Sequence, residues 1–97
     1  MYRDEYHPQV KHDVKKLPAQ LRERIQTEHI PTLLAHPEEG EGLVGDLKGI
    51  WSYHFSFTSQ QYRIAYMIDH SAETVIILMI GKRGEFYQLL KRRIKRK

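Results

Sequence analysis

The chain has 97 residues and no cysteine, which bounds it to one small domain and excludes disulfides and thiolate chemistry. Hydrophobic residues make up 40% and charged residues 29%, the balance of a folded globular chain rather than a disordered one. The net charge of +4 is held unevenly: residues 1–49 carry −2 and residues 50–97 carry +6, so the second half faces anions.

The first residues, Met1 to Tyr6, lack the apolar run of a signal peptide, and no stretch reaches transmembrane length. The expectation is a cytoplasmic protein with no membrane contact. Tyr2 to Tyr6 is short and mixed, as an edge strand would be. His7-Pro8 is expected to open a helix, with proline at the first helical position. Val10, Val14 and Leu17 then fall on one stripe of an otherwise charged helix. Pro18 ends it and starts a second helix, in which Leu21 and Ile25 continue the stripe. Pro31 is expected to kink or stop this helix, with an apolar turn through Leu33 and Leu34 beyond it. Residues 36–49 hold Pro37, Gly40, Gly42, Gly45 and Gly49 among Glu38, Glu39 and Glu41, and read as a long surface loop.

Ile50 to Phe57 alternates with period two. Trp51, Tyr53, Phe55 and Phe57 share one face, suited to a core seam, while Ser52, His54 and Ser56 share the other. Thr58 to Gln61 is a turn. Tyr62 to Ile68 alternates again and places Arg63, Ala65 and Met67 opposite Tyr62, Ile64, Tyr66 and Ile68. Thr74 to Ile80 is almost continuously apolar, as a strand covered on both faces would be. It ends in Gly81-Lys82-Arg83. Phe86, Leu89, Leu90 and Ile94 predict a final amphipathic helix from about Glu85. Its end carries Lys91, Arg92, Arg93, Lys95, Arg96 and Lys97, either as a solvated face complementing the helix dipole or as a polyanion-binding surface. The predicted architecture is α+β, in the order β-α-α-β-β-β-α. One domain over 1–97 holds a mainly antiparallel four-stranded sheet, packed against the N-terminal helical hairpin, with a C-terminal helix.

The six histidines, at 7, 12, 29, 36, 54 and 70, lack the close pairs and carboxylate partners of zinc sites, and no nucleotide-binding or Ser-His-Asp motif is present. No metal and no cofactor are expected. What remains is basic and hydroxylic. Hairpin pairing would bring Arg63 near Arg83, and two neighbouring guanidiniums call for an anion between them. Lys82 adds charge, His54 could move a proton near neutral pH, and Tyr87 could stack on a base or bond a phosphate. These groups suit metal-free RNA cleavage, in which the ribose 2′-OH is the nucleophile. Each has a plainer alternative: Arg63 as a cross-strand partner, Arg83 as loop charge, His54 as a solvent-facing strand residue, Tyr87 as a core anchor. The residues alone indicate an anion-binding cleft suited to nucleic acid.

Gly49-Ile50-Trp51-Ser52-Tyr53, Tyr62-Arg63-Ile64-Ala65-Tyr66, Ile80-Gly81-Lys82-Arg83 and Glu85-Phe86-Tyr87, in that order and spacing, resemble the RelE branch of the RelE/ParE toxin superfamily. The likeness spans essentially the whole chain, including the Leu17-Pro18 break, the Leu47-Lys48-Gly49 lead-in and the basic C-terminal helix. It implies the toxin of a type II toxin–antitoxin pair, a ribosome-dependent mRNA endoribonuclease leaving a 2′,3′-cyclic phosphate and neutralised by a cognate antitoxin. It further implies that Arg63 and Arg83 stabilise the phosphate and that Tyr87 stacks on a base. Lysines of the prototype are replaced at 52–56, leaving His54 as the candidate general base or acid. Lys82, Ser56, Lys91, Arg92 and Lys95 are the expected RNA contacts, with the ribosomal A site, its mRNA and rRNA, as partner. The alternatives are a ParE-like inhibitor of DNA gyrase without nuclease activity and a degenerate member that keeps only antitoxin binding.

Overall fold

A computed structural model describes residues 1–95. Strands β1 (Arg3–Tyr6), β2 (Glu41–Gly42), β3 (Trp51–Phe57), β4 (Gln60–Asp69) and β5 (Thr74–Lys82) form one sheet in the order β1-β5-β4-β3-β2. Helices α1 (Val10–Lys15), α2 (Ala19–Arg24) and α3 (Ile30–Ala35) precede β2, and α4 (Phe86–Lys95) follows β5. The predicted α+β order therefore holds. The sheet has five strands rather than four, because residues 41–42 pair antiparallel with β3 inside the predicted loop. Its ladders are antiparallel except for β1 on β5, which is parallel. Such a pairing needs a crossover, supplied here by the helices.

Both faces of the sheet are covered, which explains the unbroken apolar run of β5. On one face Val10, Leu17, Leu21, Ile25 and Leu33 from the helices pack on Phe55, Ile64, Tyr66, Val75 and Ile77. On the other, Phe86 and Leu90 of α4 pack with Leu47, Ile50, Ala65, Leu78 and Met79. Opposite Ala65 and Tyr66 the β4–β5 register slips, so that Leu78 and Met79 both join the α4 side. A bulge of this kind leaves ladder groups unpaired. Two side chains take them up: Arg93 Nη1 donates to Leu78 O at 2.9 Å, and Ile80 N donates to Asp13 Oδ2 at 3.0 Å. Arg93 also forms a two-pronged ion pair with Asp13, at 2.7 and 2.9 Å, with both side chains almost buried. Arg93 is thus a tertiary anchor for α4 rather than part of a solvated basic end. Leu89, expected in the apolar stripe, is 44% exposed.

Pro18 separates α1 from α2 as expected, but Pro8 and Pro31 behave differently. Pro8 lies in a turn, and the helix starts only at Val10. Pro31 neither stops nor ends its helix. Residues 25–29 widen into a π-turn, with Ile30 N–H bonded to Ile25 O, and α3 continues to Ala35. A proline ring collides with the carbonyl four residues back, and a wider turn moves that carbonyl aside. The connection after α3 is also more ordered than a surface loop. Tyr66, fully buried in β4, donates its hydroxyl to Pro37 O at 2.7 Å and accepts from Gly40 N at 3.0 Å. Burial pushes the Tyr66 phenol up to about 12, so it stays a donor. A Cβ at Gly40 would stand 2.6 Å from that hydroxyl and 2.7 Å from Ser52 O, so only glycine fits. This latch carries the chain across the sheet end and sets β2 beside β3.

Candidate functional site

On the α4 side of the sheet, β3 and β4 project their polar positions past the helix. His54 pairs with Arg63 across the β3–β4 ladder, so period two delivers both to the same face. Tyr87 enters from the first turn of α4. The Arg63 guanidinium carbon lies 5.0 Å from the centroid of the Tyr87 ring, within cation–π range. The Tyr87 hydroxyl donates to Ser52 Oγ at 3.2 Å and stands 3.4 Å from His54 Nε2, itself 3.1 Å from Ser52 Oγ. Three polar atoms from three residues therefore meet beside one guanidinium. The segment 43–47 forms the opposite wall, and Glu41 Oε1 stands 4.0 Å from His54 Nε2. The open cleft has a volume of about 690 Å³ and is bordered on the helix side by Lys91, paired with Asp46 at 3.8 Å.

The electrostatics favour a neutral imidazole. Partial burial, followed by the Arg63 charge, holds His54 below its ordinary 6.5, while Glu41 pulls the other way. A neutral histidine beside a cation can accept a proton from a substrate whose negative charge that cation attracts. Among the described residues no three His, Cys, Asp or Glu side chains converge as a metal site.

Of the candidates named from sequence, His54, Arg63, Tyr87 and Lys91 line this cleft. Lys82 and Arg83 line a different cavity of about 390 Å³, between α1 and α4, with Asp13, Lys16 and Phe86. Arg83 is tied to the strand next to Arg63 through its backbone, Arg83 N to Gln61 O at 2.9 Å. Its side chain is not among the groups lining the Arg63 cleft. Ser56 lies outside it too, accepting from Gln61 Nε2 at 3.3 Å. Arg92 and Lys95 face a separate depression beside Gln9 and Lys16. Arg96 and Lys97 lie outside the described residues. Two groups had no assigned role from sequence. Ser52 was visible in the alternation of β3, whereas Glu41 reaches the site only because residues 41–42 pair as a strand.

The sequence matches, over residues 5–91, the family described as ParE-like toxin of type II bacterial toxin–antitoxin system. No curated protein matches it. Among solved structures, the toxin–antitoxin complex RelBE2 from Mycobacterium tuberculosis has a chain 26% identical, with a TM-score of 0.71, covering 84% of this chain and 91% of its own. The intact RelBE complex of E. coli matches at 20% identity and TM-score 0.69, over 87% of this chain and 99% of its own. The isolated E. coli RelE toxin matches at 22% identity and TM-score 0.67, over 97% and 99%. At those lower identities the likeness is one of fold. The family match spans nearly the whole chain, and the sheet and helices agree with it: the chain is a type II toxin–antitoxin toxin of the ParE-like family, within the RelE/ParE superfamily.

Proposed function

We propose that this toxin is a metal-independent, ribosome-dependent mRNA endoribonuclease of the RelE type, held inactive by a cognate antitoxin. The observation that carries the reading is the convergence of Arg63, His54 and Tyr87 in one cleft, with the imidazole held neutral. The substrate supplies the nucleophile. His54 accepts the 2′-OH proton as the 2′ oxygen bonds to phosphorus, and the bond to the 5′ oxygen breaks. The products are a 2′,3′-cyclic phosphate and a 5′-hydroxyl, the latter protonated by the imidazolium just formed or by solvent. Arg63 meets the charge that grows on the phosphoryl oxygens. Tyr87 offers its ring to a base, while its hydroxyl stays bonded to Ser52. Arg83 and Lys82, exposed in the separate cavity between α1 and α4, engage flanking phosphates. Because the nucleophile is the RNA's own and the cations are side chains, no cofactor is required.

Lys91, Arg92, Lys95 and Ser56 then contact mRNA or rRNA, and the cytoplasm is the working compartment. The antitoxin is an acidic segment that folds over the +6 half. Primer extension on mRNA from cells briefly expressing the chain tests the reading. Cuts within translated codons are expected, and they should disappear in Arg63→Ala and weaken in Arg83→Ala. A second reading, a ParE-like gyrase inhibitor, is favoured by the family description itself. Growth arrest with uncut mRNA and altered DNA supercoiling would establish it instead.

A further inference from the structure

We infer that Ser52 is a positioning residue, whose buried hydroxyl accepts a hydrogen bond from the Tyr87 hydroxyl and donates one to His54 Nε2. This fixes His54 as its Nδ1–H tautomer. Ser52 is 1% exposed, yet its oxygen lies within 3.2 Å of both partners. At that depth bulk water does not compete, and Tyr87 and His54 are the side chains that stand within hydrogen-bond distance of the hydroxyl. The order of the chain follows from proton affinities. A phenol is a stronger donor than an aliphatic alcohol, and a neutral imidazole nitrogen is a stronger acceptor than a hydroxyl oxygen. The favourable direction therefore runs from Tyr87 through Ser52 to the imidazole lone pair. The reverse order would have the weak alcohol donate to the phenol.

The charged groups around His54 are compatible with this state. Arg63, on the next strand, opposes an imidazolium, while Glu41 favours one but stands at 4.0 Å, beyond hydrogen-bond distance. Ser52 itself touches no solvent and is unsuited to touch substrate. Its part is to fix the tautomer and orientation of the His54 ring, so that Nε2 is the unprotonated nitrogen and takes the 2′-OH proton when substrate displaces the Ser52 hydrogen bond. The catalytic consequence, though not the tautomer, rests on the nuclease reading above.

Long-range ¹H–¹⁵N correlation of the histidine ring nitrogens in the purified toxin tests the assignment without any substrate. At a pH where His54 is neutral, the wild-type ring should show a protonated Nδ1 and an unprotonated Nε2. Ser52→Ala should move it toward the Nε2–H form. Tyr87→Phe, which leaves the Ser52 donor in place, should keep the wild-type tautomer and serves as the second variant if Ser52→Ala does not fold. A protonated Nε2 in the wild type overturns the inference. So does an unchanged ring in Ser52→Ala, or a tautomer lost in Tyr87→Phe. In the cleavage assay Ser52→Ala should lower kcat roughly ten- to hundredfold with KM unchanged, as loss of an orienting hydrogen bond does. If the wild type cuts no mRNA, the nuclease reading falls, while the ring spectra still decide the role of Ser52.

Discussion

His54 sits between two charges of opposite sign, Arg63 across the ladder and Glu41 on the short edge strand. Each charge can be removed without touching the imidazole. Arg63→Gln should raise the His54 pKa, because it deletes the cation that opposes protonation, and Glu41→Gln should lower it. An NMR titration of the ring protons reads both; shifts of the same sign would mean that the two charges do not act on His54 as described. A second histidine makes a separate prediction. His29 is 8% exposed, stacked on Phe55 at 4.0 Å, with Nδ1 2.9 Å from the Tyr53 hydroxyl. Burial holds it below the ordinary 6.5. Between that lowered value and 6.5 the unfolded chain binds a proton that the folded chain refuses, so stability is complete above 6.5 and falls as pH drops through this window. Urea melts from pH 7.5 to 5 should show the decline, and His29→Gln should flatten it. The cleft was only half legible in the sequence. Alternation placed Ser52 and His54 on one face of their strand and Arg63 on one face of the next, because period two is a local property of a strand. That the two faces coincide comes from the β3–β4 register. Arg83 comes just after β5 ends, where no period aims a side chain, and it lines the other cavity.

The elements were legible wherever hydrophobic spacing decided them, and obscure wherever a single tertiary hydrogen bond did. The three long strands, the stripe of α1 and α2 and the buried face of α4 all follow from apolar periodicity. Strand β2 does not, since Glu41 and Gly42 carry no apolar side chain; the Tyr66 latch on Pro37 and Gly40 puts them there. The π-turn before Pro31 was hidden for a similar reason, because the helix persists through packing of Ile25, Ile30 and Leu33 rather than propensity. The Asp13–Arg93 pair joins residues 80 apart and has no local signature at all. It makes a strong prediction about α4. Asp13→Ala would strand a nearly buried guanidinium and leave Ile80 N–H without its partner. The expected cost is about 3–5 kcal/mol, lowering the melting temperature by at least roughly 12 °C. Adding Arg93→Met should restore part of the loss, because the unpaired charge goes with it. A single mutant that melts within about 3 °C of the wild type, less than 1 kcal/mol in a domain of this size, would show that α4 is held by its apolar face alone.

At the scale of the whole molecule, the +6 of residues 50–97 overstates the charge available to a polyanion. Arg93 is spent on Asp13, Lys91 is paired with Asp46, and Arg63 lies over Tyr87 inside the cleft. Among the described residues Lys82, Arg83, Arg92 and Lys95 remain exposed on this half. They lie along the α1-facing side of α4 and the end of β5, away from the cleft that holds His54. An RNA that fills the cleft and also meets these cations must therefore cross α4, which carries Tyr87 on its cleft side. Association with ribosomes should then weaken steeply with salt, the logarithm of the binding constant falling with log salt by about 0.7–0.9 per phosphate neutralised. Converting Arg92 and Lys95 to Gln should reduce that slope by roughly 1.5 and weaken binding at low salt, while leaving the His54 pKa where it was, because neither residue reaches the cleft. Pelleting of the toxin with ribosomes across a series of potassium chloride concentrations measures the slope directly. If the double variant keeps the wild-type slope, these cations do not touch nucleic acid, and their role passes to the antitoxin. Their loss should then appear as a faster dissociation of the toxin–antitoxin complex.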